Sequence, residues 1–392
     1  MKIFNRGKLK IISWCNAPEE DCLQQAANLS NFPFTFKHVA LMPDTHTGYG
    51  MPIGGVVGLL GVISPNMVGV DIGCGMCAVK TSLQGDLRDK DLKDILSLIR
   101  RAIPVGFKHH KRDTLPDYDL LPALPQELVS CKETVLRREE KVLLEQLGTL
   151  GGGNHFIEIQ RGSDGHIWFM LHSGSRNLGL QVANYYNKIA IRLNQRIAPQ
   201  IPKEWQLAYL PLDSDEGVVY MQEMQYCLSF AAANRNVMAM RIKAAISEIT
   251  AAQFLDEINI HHNYARMEKH FDTQLMVHRK GATSAFEGEL GIIPGSQGTP
   301  SYIVRGKGNE QAFKSSSHGA GRKMGREEAK RRLNFEQEKR CLDDLGIIHS
   351  LRSVRSLDEA PSAYKDIDVV MEEQRDLVDI VLKLTPLAVI KG

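Results

Sequence analysis

Short apolar runs broken by glycine fill the first third of the chain, and they constrain the fold more than any other feature of the sequence. The runs at residues 38–43 (HVALMP), 54–64 (GGVVGLLGVIS) and 76–83 (MCAVKTSL) have the lengths of buried strands. Periodicity alone does not separate such short runs from short helices, so both interpretations stay open for each of them. Taken together, the runs predict that the first part of the chain is rich in β-structure.

The second half of the chain has the periodicity of helices. Apolar residues recur every three or four positions over residues 181–197, and residues 220–251 and 368–384 form two further helix candidates. Because strands come first and helices later, without a regular βαβ alternation, the pattern predicts an α+β fold. The sequence contains no internal repeat and no low-complexity linker, so we expect a single large domain over residues 1–392.

Composition limits where the protein acts and what attracts its partners. The net charge is only +2, so any site for a polyanion must be a local basic patch rather than a field of the whole molecule. The seven cysteines are odd in number and do not form a disulfide framework. The first residues, MKIFNRGKLKIISW, lack the apolar core of an export signal, and no stretch approaches the roughly 18 apolar residues of a membrane span. We therefore expect a cytoplasmic protein with reduced thiols and no membrane contact.

Several loops contain residue types that bind metal ions. Asp71 and Cys74 flank a glycine turn in VGVDIGCGM, His155 lies in GGGNHFIE, His172 in LHSGSR, and a histidine pair in NIHHNY. Nitrogen and sulfur donors favour a divalent transition metal over magnesium or calcium, and a thiolate that bridges suits two adjacent ions. Taken singly, Cys74 is as compatible with a small buried apolar residue, and His172 with a hydrogen-bonded strand residue. His109 and His110 in KHHKR resemble an exposed basic loop.

Other glycine-rich loops combine hydroxyl groups with basic residues, a composition that suits phosphate. Backbone N–H groups in such turns bind phosphate oxygens, and arginine adds bidentate charge-assisted hydrogen bonds. Any one of these loops is also compatible with an ordinary turn. Four of them in one chain indicate a substrate with several phosphates, such as a nucleotide plus a nucleic-acid end. Their candidate residues are Arg176, Arg279, Lys280, Ser296, Ser301 and Arg322.

His318 lies in one of these loops, KSSSHGAGRKMGR, at residues 314–326. A neutral imidazole beside phosphate-binding loops is a candidate nucleophile toward phosphorus. Two other roles stay open, namely a further metal ligand and a general base. The hydroxyl and glycine surroundings, without a carboxylate in the same loop, favour the nucleophile.

At this point the motifs resemble those of a known family, the RtcB-type RNA-splicing ligases. The resemblance runs through nearly the whole chain, from FKHVALMPDTHTGYG through VGVDIGCGM, LGTLGGGNHFIEI, LHSGSRNLG, INIHHNY, RKGATSA, GIIPGSQG, SHGAGR and AYKDID to the terminal KG. It implies an α+β fold with central β-sheets surrounded by helices. It also implies a GTP- and manganese-dependent ligase that joins an RNA 3′-phosphate or 2′,3′-cyclic phosphate to a 5′-hydroxyl in RNA repair or tRNA splicing. RNA and GTP are the implied partners, and we expect a monomer.

The resemblance also assigns roles to individual residues. His318 matches the histidine that becomes covalently attached to GMP. The implied ligands of two manganese ions, with the thiolate bridging, are Asp71, Cys74, His155, His172 and His262. The implied nucleotide contacts are Asn154, Glu158, Asn263, Pro294, Gly295, Ser296, Gln297, Ser301, Gly319, Ala320, Gly321, Tyr364 and Lys391. The implied phosphate or RNA contacts are Asp44, which matches a motif near the metals without a clear role, together with Arg176, Arg279, Lys280 and Arg322.

Three positions depart from the family pattern, which usually has lysine at Tyr49, methionine at Gln297 and, in several members, cysteine at Ser316. None of these changes removes a proposed ligand or the nucleophile, but the first removes a positive charge from a possible RNA-contact loop. Two rival functions remain at this stage. One is a manganese phosphoesterase acting on cyclic phosphate ends, and the other is a non-catalytic protein that binds RNA ends.

Overall fold

The computed structural model of the chain describes residues 1–129 and 134–392. The strands are β1 (Lys2–Phe4), β2 (Lys10–Ser13), β3 (Thr35–His46), β4 (Ile53–Leu59), β5 (Val62–Ile63), β6 (Gly75–Gln84), β7 (Phe156–Gly162), β8 (His166–Ser173), β9 (Leu210–Pro211), β10 (Phe254–His261), β11 (Asn263–His270), β12 (Thr273–Lys280), β13 (Ala282–Ser284), β14 (Leu290–Ile293), β15 (Ser301–Gly306), β16 (Ser315–Ser317) and β17 (Val378–Lys391). The α-helices are α1 (Glu20–Asn31), α2 (Pro65–Val68), α3 (Asp89–Ala102), α4 (Gln126–Val129), α5 (Val135–Gln146), α6 (Arg176–Ile197), α7 (Asp215–Ile249), α8 (Arg326–Arg332), α9 (Phe335–Asp344) and α10 (Ile367–Glu373).

Two large sheets organise the described part of the chain. One has six strands in the order β1-β2-β3-β4-β12-β11, and the other has seven in the order β10-β6-β8-β7-β17-β15-β14. Neighbouring strands in these sheets are antiparallel except for β2 and β3. Helices pack on the sheets without alternating with parallel strands, and this arrangement confirms the predicted α+β class.

The apolar core lies between the helices and the sheets. Helices α3 and α7 pack on the seven-stranded sheet through residues such as Ile95, Ile242 and Phe169, all fully buried. Helix α1 packs on the six-stranded sheet, where Leu29 and Val39 are fully buried. Burying one such side chain stabilises a fold by about 1.5–3 kcal/mol. These contacts therefore hold in place the strand ends that carry the polar residues described below.

Most of the predicted elements are confirmed, but the last helix is wrong in its second half. The first apolar run lies in β3, the second spans β4 and β5, and the third lies in β6. The two long periodic segments lie in α6 and α7. Residues 368–384 begin in helix α10 but continue into strand β17, which pairs with β15 and β7. Pairing inside the sheet decides this segment, because a short apolar run has no strong preference of its own.

Two further expectations concern the thiols and the membrane. Six cysteines are free thiols, and Cys131 lies outside the described residues. Over the two described ranges, no helix combines the length and the apolar character that crossing a bilayer would require.

Candidate active site

The candidate active site lies at one edge of the seven-stranded sheet, where neighbouring strands begin or end. The strands β10, β6, β8 and β7 are adjacent, and the register pairs Phe156 of β7 with His172 of β8. Cys74 directly precedes β6, His155 directly precedes β7, and His262 directly follows β10. Because antiparallel neighbours run in opposite directions, the start of one strand lies beside the end of the next. The sheet therefore brings together residues from four separate parts of the sequence.

Five side chains at this edge form two groups that can each hold a metal ion. One group is Cys74, His172 and His262, the other is Asp71, Cys74 and His155, and the ligand atoms within each lie within 4.8 Å of one another. The Sγ of Cys74 lies 3.1 Å from Nε2 of His172 and 3.4 Å from Nε2 of His155. His155 Nε2 lies 3.1 Å from Asp71 Oδ2, and the Nε2 atoms of His172 and His262 are 3.3 Å apart. The thiol of Cys74 belongs to both groups.

The surroundings of these side chains fit metal binding. Nδ1 of His155 lies 2.9 Å from the Leu150 carbonyl and Nδ1 of His172 lies 3.2 Å from that of Asn154, so each ring directs Nε2 toward the cluster. Burial lowers the pKa of His172 and of His262 far below the usual value, so both imidazoles stay neutral, as ligation requires. This donor set suits a divalent transition metal, which would also ionise the thiol.

The carboxylate and the thiol of the cluster differ in their preferred charge. Burial opposes ionisation of Asp71, but the hydrogen bond and charge of His155 lower its pKa to about 2. Burial and the neighbouring carboxylate raise the pKa of Cys74 well above the usual value of a thiol. The Nδ1 atom of His262 is buried and has no hydrogen-bond partner among the described residues. A bound cation would compensate the charge of Asp71 and favour the thiolate form of Cys74.

Arg235 of α7 holds the loop that carries Asp71 and Cys74. Its guanidinium is fully buried, and Nη1 donates to the carbonyls of Gly73 and Ser173 at 3.0 Å each. Nη2 lies 3.1 Å from Nδ1 of His261, so this histidine is engaged away from the metal groups while its neighbour His262 belongs to one. Nothing in the helical periodicity of α7 marks Arg235, and the sequence analysis missed it.

His318 lies directly after β16 and next to the metal groups. Its ring centroid is 4.8 Å from that of His262. Asp44 Oδ2 lies 2.6 Å from His318 Nδ1 and accepts a second hydrogen bond from the His318 backbone N–H at 3.1 Å. Asp44 is fully buried on β3, and a buried carboxylate holds an imidazole with the proton on Nδ1. Nε2 is then left with its lone pair, so Asp44 acts as a positioning residue for His318.

A cleft of about 840 Å³ opens beside His318 and contains most of the predicted nucleotide contacts. Its wall includes Asn154 and Glu158 from the β7 region, the 294–297 and 318–322 loops, Tyr364, and Lys391 at the end of β17. Lys391 lies in the paired part of β17 opposite Phe156, and Ala388, Val389 and Ile390 before it are buried. The apolar residues before Lys391 therefore anchor this lysine in the sheet.

Ionisable side chains form a network at the end of the cleft. Lys391 Nζ donates to Glu359 Oε2 at 2.9 Å, the Tyr364 hydroxyl donates to the same oxygen at 2.5 Å, and Arg322 Nη1 lies 3.2 Å from Oε1. Burial raises the pKa of Glu158 to about 7, against the opposing effects of Lys391 and of a hydrogen bond from Gln160. The cleft thus offers a cationic donor and a carboxyl group, the pattern needed to bind a donor–acceptor edge of a base.

Four predicted phosphate-binding residues are already engaged by protein groups. Arg279 is fully buried and donates to both carboxylate oxygens of Glu268, at 2.6 and 2.9 Å, so the structure corrects its assignment as a phosphate clamp. Lys280 donates to the carbonyls of Tyr49 and Asn66, and burial lowers its pKa to about 7. These two side chains stabilise the fold around the site and do not line the cleft.

The other two basic residues lie nearer to the site. Arg322 lines the cleft but also donates to Asp358 O at 2.6 Å and to Met324 O at 3.1 Å. Arg176 donates to the Thr149 hydroxyl and the Gly106 carbonyl, both at 3.1 Å, and does not line the cleft. Both guanidinium groups are therefore held in place by the protein itself.

Two predicted nucleotide contacts support the cleft from behind. Asn263 Nδ2 donates to the Asp71 carbonyl at 3.1 Å, and its Oδ1 accepts from the Gly281 N–H at 2.7 Å. Ser301 is buried, and its hydroxyl accepts from the Gly295 N–H at 3.2 Å. Both side chains shape the loops of the site without lining its wall.

Several residues at or behind the cleft wall could not be found from sequence motifs. Glu359 does not itself line the cleft, but it accepts hydrogen bonds from Lys391 and Tyr364, which do, and its segment carries no recognisable motif. The basic residues Lys323, Arg326 and Arg331 lie on one rim, close to the His318 loop. The dense positive charge of residues 322–332 was a usable signal for these three.

Comparison with known proteins identifies the family of the chain. The family model described as tRNA-splicing ligase RtcB matches residues 25–392. The chain is similar to the RNA-splicing ligase RtcB of Escherichia coli (strain K12), with 38% identity over 391 residues and 95% of each chain covered. It is also similar to the tRNA-splicing ligase RtcB of Thermococcus kodakarensis, with 31% identity covering 95% of this chain and 92% of the relative. An RNA-splicing ligase RtcB homolog 1 of Entamoeba histolytica is 30% identical over 95% of this chain and 83% of the relative.

Proposed function

The chain belongs to the RtcB family of RNA-splicing ligases, and from this premise we propose that it joins RNA ends with a 3′-phosphate or 2′,3′-cyclic phosphate to 5′-hydroxyl ends, using GTP and manganese. The observation that carries the proposal is the pairing of His318 with Asp44, 2.6 Å apart, in a cleft beside the two metal-binding groups. A carboxylate that holds Nδ1–H leaves Nε2 free to attack, which is what a histidine nucleophile requires.

In the first step, Nε2 of His318 attacks the α-phosphorus of GTP. A nitrogen–phosphorus bond forms, the bond between the α-phosphorus and the bridging oxygen breaks, and pyrophosphate leaves. The Nδ1–H stays on His318, where the Asp44 carboxylate stabilises the positive charge that develops on the ring. Manganese held by Asp71, Cys74, His155, His172 and His262 would supply charge neutralisation at the phosphate oxygens.

In the second and third steps the GMP group passes to RNA and is then released. An oxygen of the RNA 3′-phosphate attacks the phosphorus on His318, which breaks the nitrogen–phosphorus bond and leaves an RNA-(3′)pp(5′)G end. The 5′-hydroxyl of the second RNA then attacks the RNA phosphorus, a phosphodiester forms, and GMP leaves. A 2′,3′-cyclic phosphate would first be opened by water to give the 3′-phosphate.

The base pocket is assigned to the other end of the cleft. We place guanine near Glu158 and Lys391, because a carboxylate accepts from the guanine N1 and N2 hydrogens while an ammonium donates to O6. Adenine presents an amino donor in place of O6, so the same pair disfavours ATP. Tyr364 lines the same wall, and its hydroxyl is held by Glu359.

The test is retention of label from α-³²P-GTP on the denatured protein in the presence of manganese. We expect one acid-labile GMP per chain, as for a nitrogen–phosphorus bond, and none on His318→Ala at unchanged manganese content. His166→Ala, a histidine on β8 outside the cleft, is the matched control and should label normally. Cleavage of a cyclic phosphate without any label would instead establish a phosphoesterase. Loss of manganese from His318→Ala would make His318 a ligand.

A further inference from the structure

A fully exposed phenylalanine stands out next to the active site. Phe107 has a relative exposure of 101%, between Gly106 and Lys108 in a loop of residues 104–111. A single exposed apolar side chain is common on protein surfaces and by itself indicates nothing. The surroundings of this ring are the second, independent observation.

The loop borders a pocket of about 470 Å³ whose lining is strongly basic. Arg100 and Arg101 come from the last turn of α3, Lys108 and Lys111 from the loop, and Arg241 from α7. Among the residues that the structure describes, no carboxylate lines the pocket. Across residues 1–129 and 134–392, Arg241 hydrogen-bonds to Ala102 O and His110, whereas the other four cations form no ion pair. In a chain with net charge +2, this is a concentrated field for an anion.

The two histidines of the loop do not determine the positive charge of the pocket. His109 is exposed, and its Nδ1 lies 3.7 Å from Glu145 Oε2. His110 is buried, which corrects the expectation that both histidines are exposed. Burial and the charge of Arg241 lower the pKa of His110 to about 4, so it is neutral at physiological pH. The positive charge at this pocket therefore comes from its lysines and arginines.

Hydrogen bonds connect this loop to the segment that carries the metal-binding His155. The Gly106 N–H donates to Gly151 O at 2.8 Å, and the Leu150 N–H donates to Pro104 O at 2.9 Å. The Leu150 carbonyl in turn lies 2.9 Å from Nδ1 of His155. The basic loop is thus fixed to the segment that carries His155, next to the metal-binding groups.

We propose that residues 104–111 and the end of α3 form a binding surface for single-stranded RNA next to the reacting end. The Phe107 ring stacks on one unpaired base, and Arg100, Arg101, Lys108 and Lys111 bind the phosphates of neighbouring nucleotides. Exposed aromatic rings within a basic groove are how proteins bind single strands without reading sequence. A duplex has no free base face to offer the ring. This inference rests on the proposed function, since it assumes that the substrate is RNA.

The experiment measures anisotropy of a fluorescein-labelled ten-nucleotide oligouridylate with a 3′-phosphate against increasing NaCl. We expect Phe107→Ala to weaken binding about tenfold or more, and Phe107→Trp to retain it. The Arg101→Ala and Lys108→Ala changes should each lower the slope of log affinity against log salt by about 0.7. Leu345→Ala, which removes another exposed apolar side chain, and Lys93→Ala, an exposed charge on α3, serve as matched controls and should bind as the unchanged protein does.

Covalent labelling with GMP, which needs no RNA, separates this inference from the proposed function. All of these variants should label at the normal level, which also shows that they are folded. Normal RNA affinity and salt dependence of Phe107→Ala, or an equal loss of affinity for a blunt RNA duplex, would overturn the proposed surface. Failure of the unchanged protein to take up GMP would refute the proposed ligase mechanism, while the RNA measurement would still decide the surface.

Discussion

Replacing Glu158 by glutamine should separate the stability of the cleft from its function. Glu158 has a relative exposure of only 3% on β7, and burial raises its pKa from the usual 4.5 to about 7. Its Oε2 accepts from Gln160 Nε2 at 2.7 Å, a hydrogen bond that glutamine can also accept. The change therefore removes the ability to ionise while keeping the size and most of the local contacts of the side chain.

The magnitude follows from the difference between the folded and unfolded pKa. A difference of about 2.5 units corresponds to about 3 kcal/mol at full ionisation. Because the folded pKa is the higher one, Glu158 lowers the free energy of unfolding as pH rises from about 4.5 through 7. At pH 8 Glu158→Gln should be more stable than the unchanged protein by up to about 3 kcal/mol, and at pH 5 by less than about 1 kcal/mol.

Urea unfolding at pH 5 and pH 8, without GTP or metal, measures this difference. Glu248→Gln, at an exposed position near the end of α7, is the control and should show no pH-dependent gain. The same Glu158→Gln protein should take up GMP poorly at pH 8, because the carboxylate that accepts from guanine is gone. An equal stability change at both pH values would refute the premise that a buried carboxyl group is forced to ionise in the cleft.

Three further predictions concern the nucleophile, the metals and the base pocket. Asp44→Asn should lower the rate of GMP attachment on the order of a hundredfold with little change in the KM for GTP, because it removes the negative charge that stabilises His318. An unchanged rate would show that Asp44 does not have this role. Cys74→Ser should lose most of its bound manganese and its GMP attachment together, as measured by elemental analysis and labelling. Cys77→Ser, at a buried position outside the metal groups, should keep both, and equal results for the two variants would make Cys74 an ordinary core residue. Lys391→Met should narrow the preference for GTP over ATP about tenfold in competition labelling of the folded protein. An unaltered preference would show that its ammonium does not contact the base.

The sequence could predict the donor atoms of the site because each motif is local. A thiol or imidazole beside glycine turns is visible in a few letters, and the sheet then brings Cys74, His155, His172 and His262 to one edge. The four apolar residues before Lys391 favour a buried strand end, but a lysine next to the last residue is typical of a solvated tail, and only strand pairing decides between the two. The α+β class likewise follows from periodicity, which reports the local backbone directly.

Partners that meet only in the tertiary structure could not be predicted. The His318 loop itself contains no acidic residue. The carboxylate that holds His318 comes instead from Asp44 on β3, far away in the sequence. The same is true of Glu359, which joins Lys391 and Tyr364.

The chain by itself determined which chemical groups are present and which of them lie beside flexible glycine turns. Only the tertiary structure decided which of these groups are already hydrogen-bonded to other protein groups and which remain available to a ligand. Arg279 is basic and follows the pattern of a phosphate clamp, but the fold places it against the buried carboxylate of Glu268. Phe107 lies in an unremarkable loop, but hydrogen bonds to residues 150 and 151 place it beside the metal site. The physical reason is that charge and hydrogen-bonding partners are set by distance in space, and the packing of strands, helices and loops brings together residues of any separation in sequence.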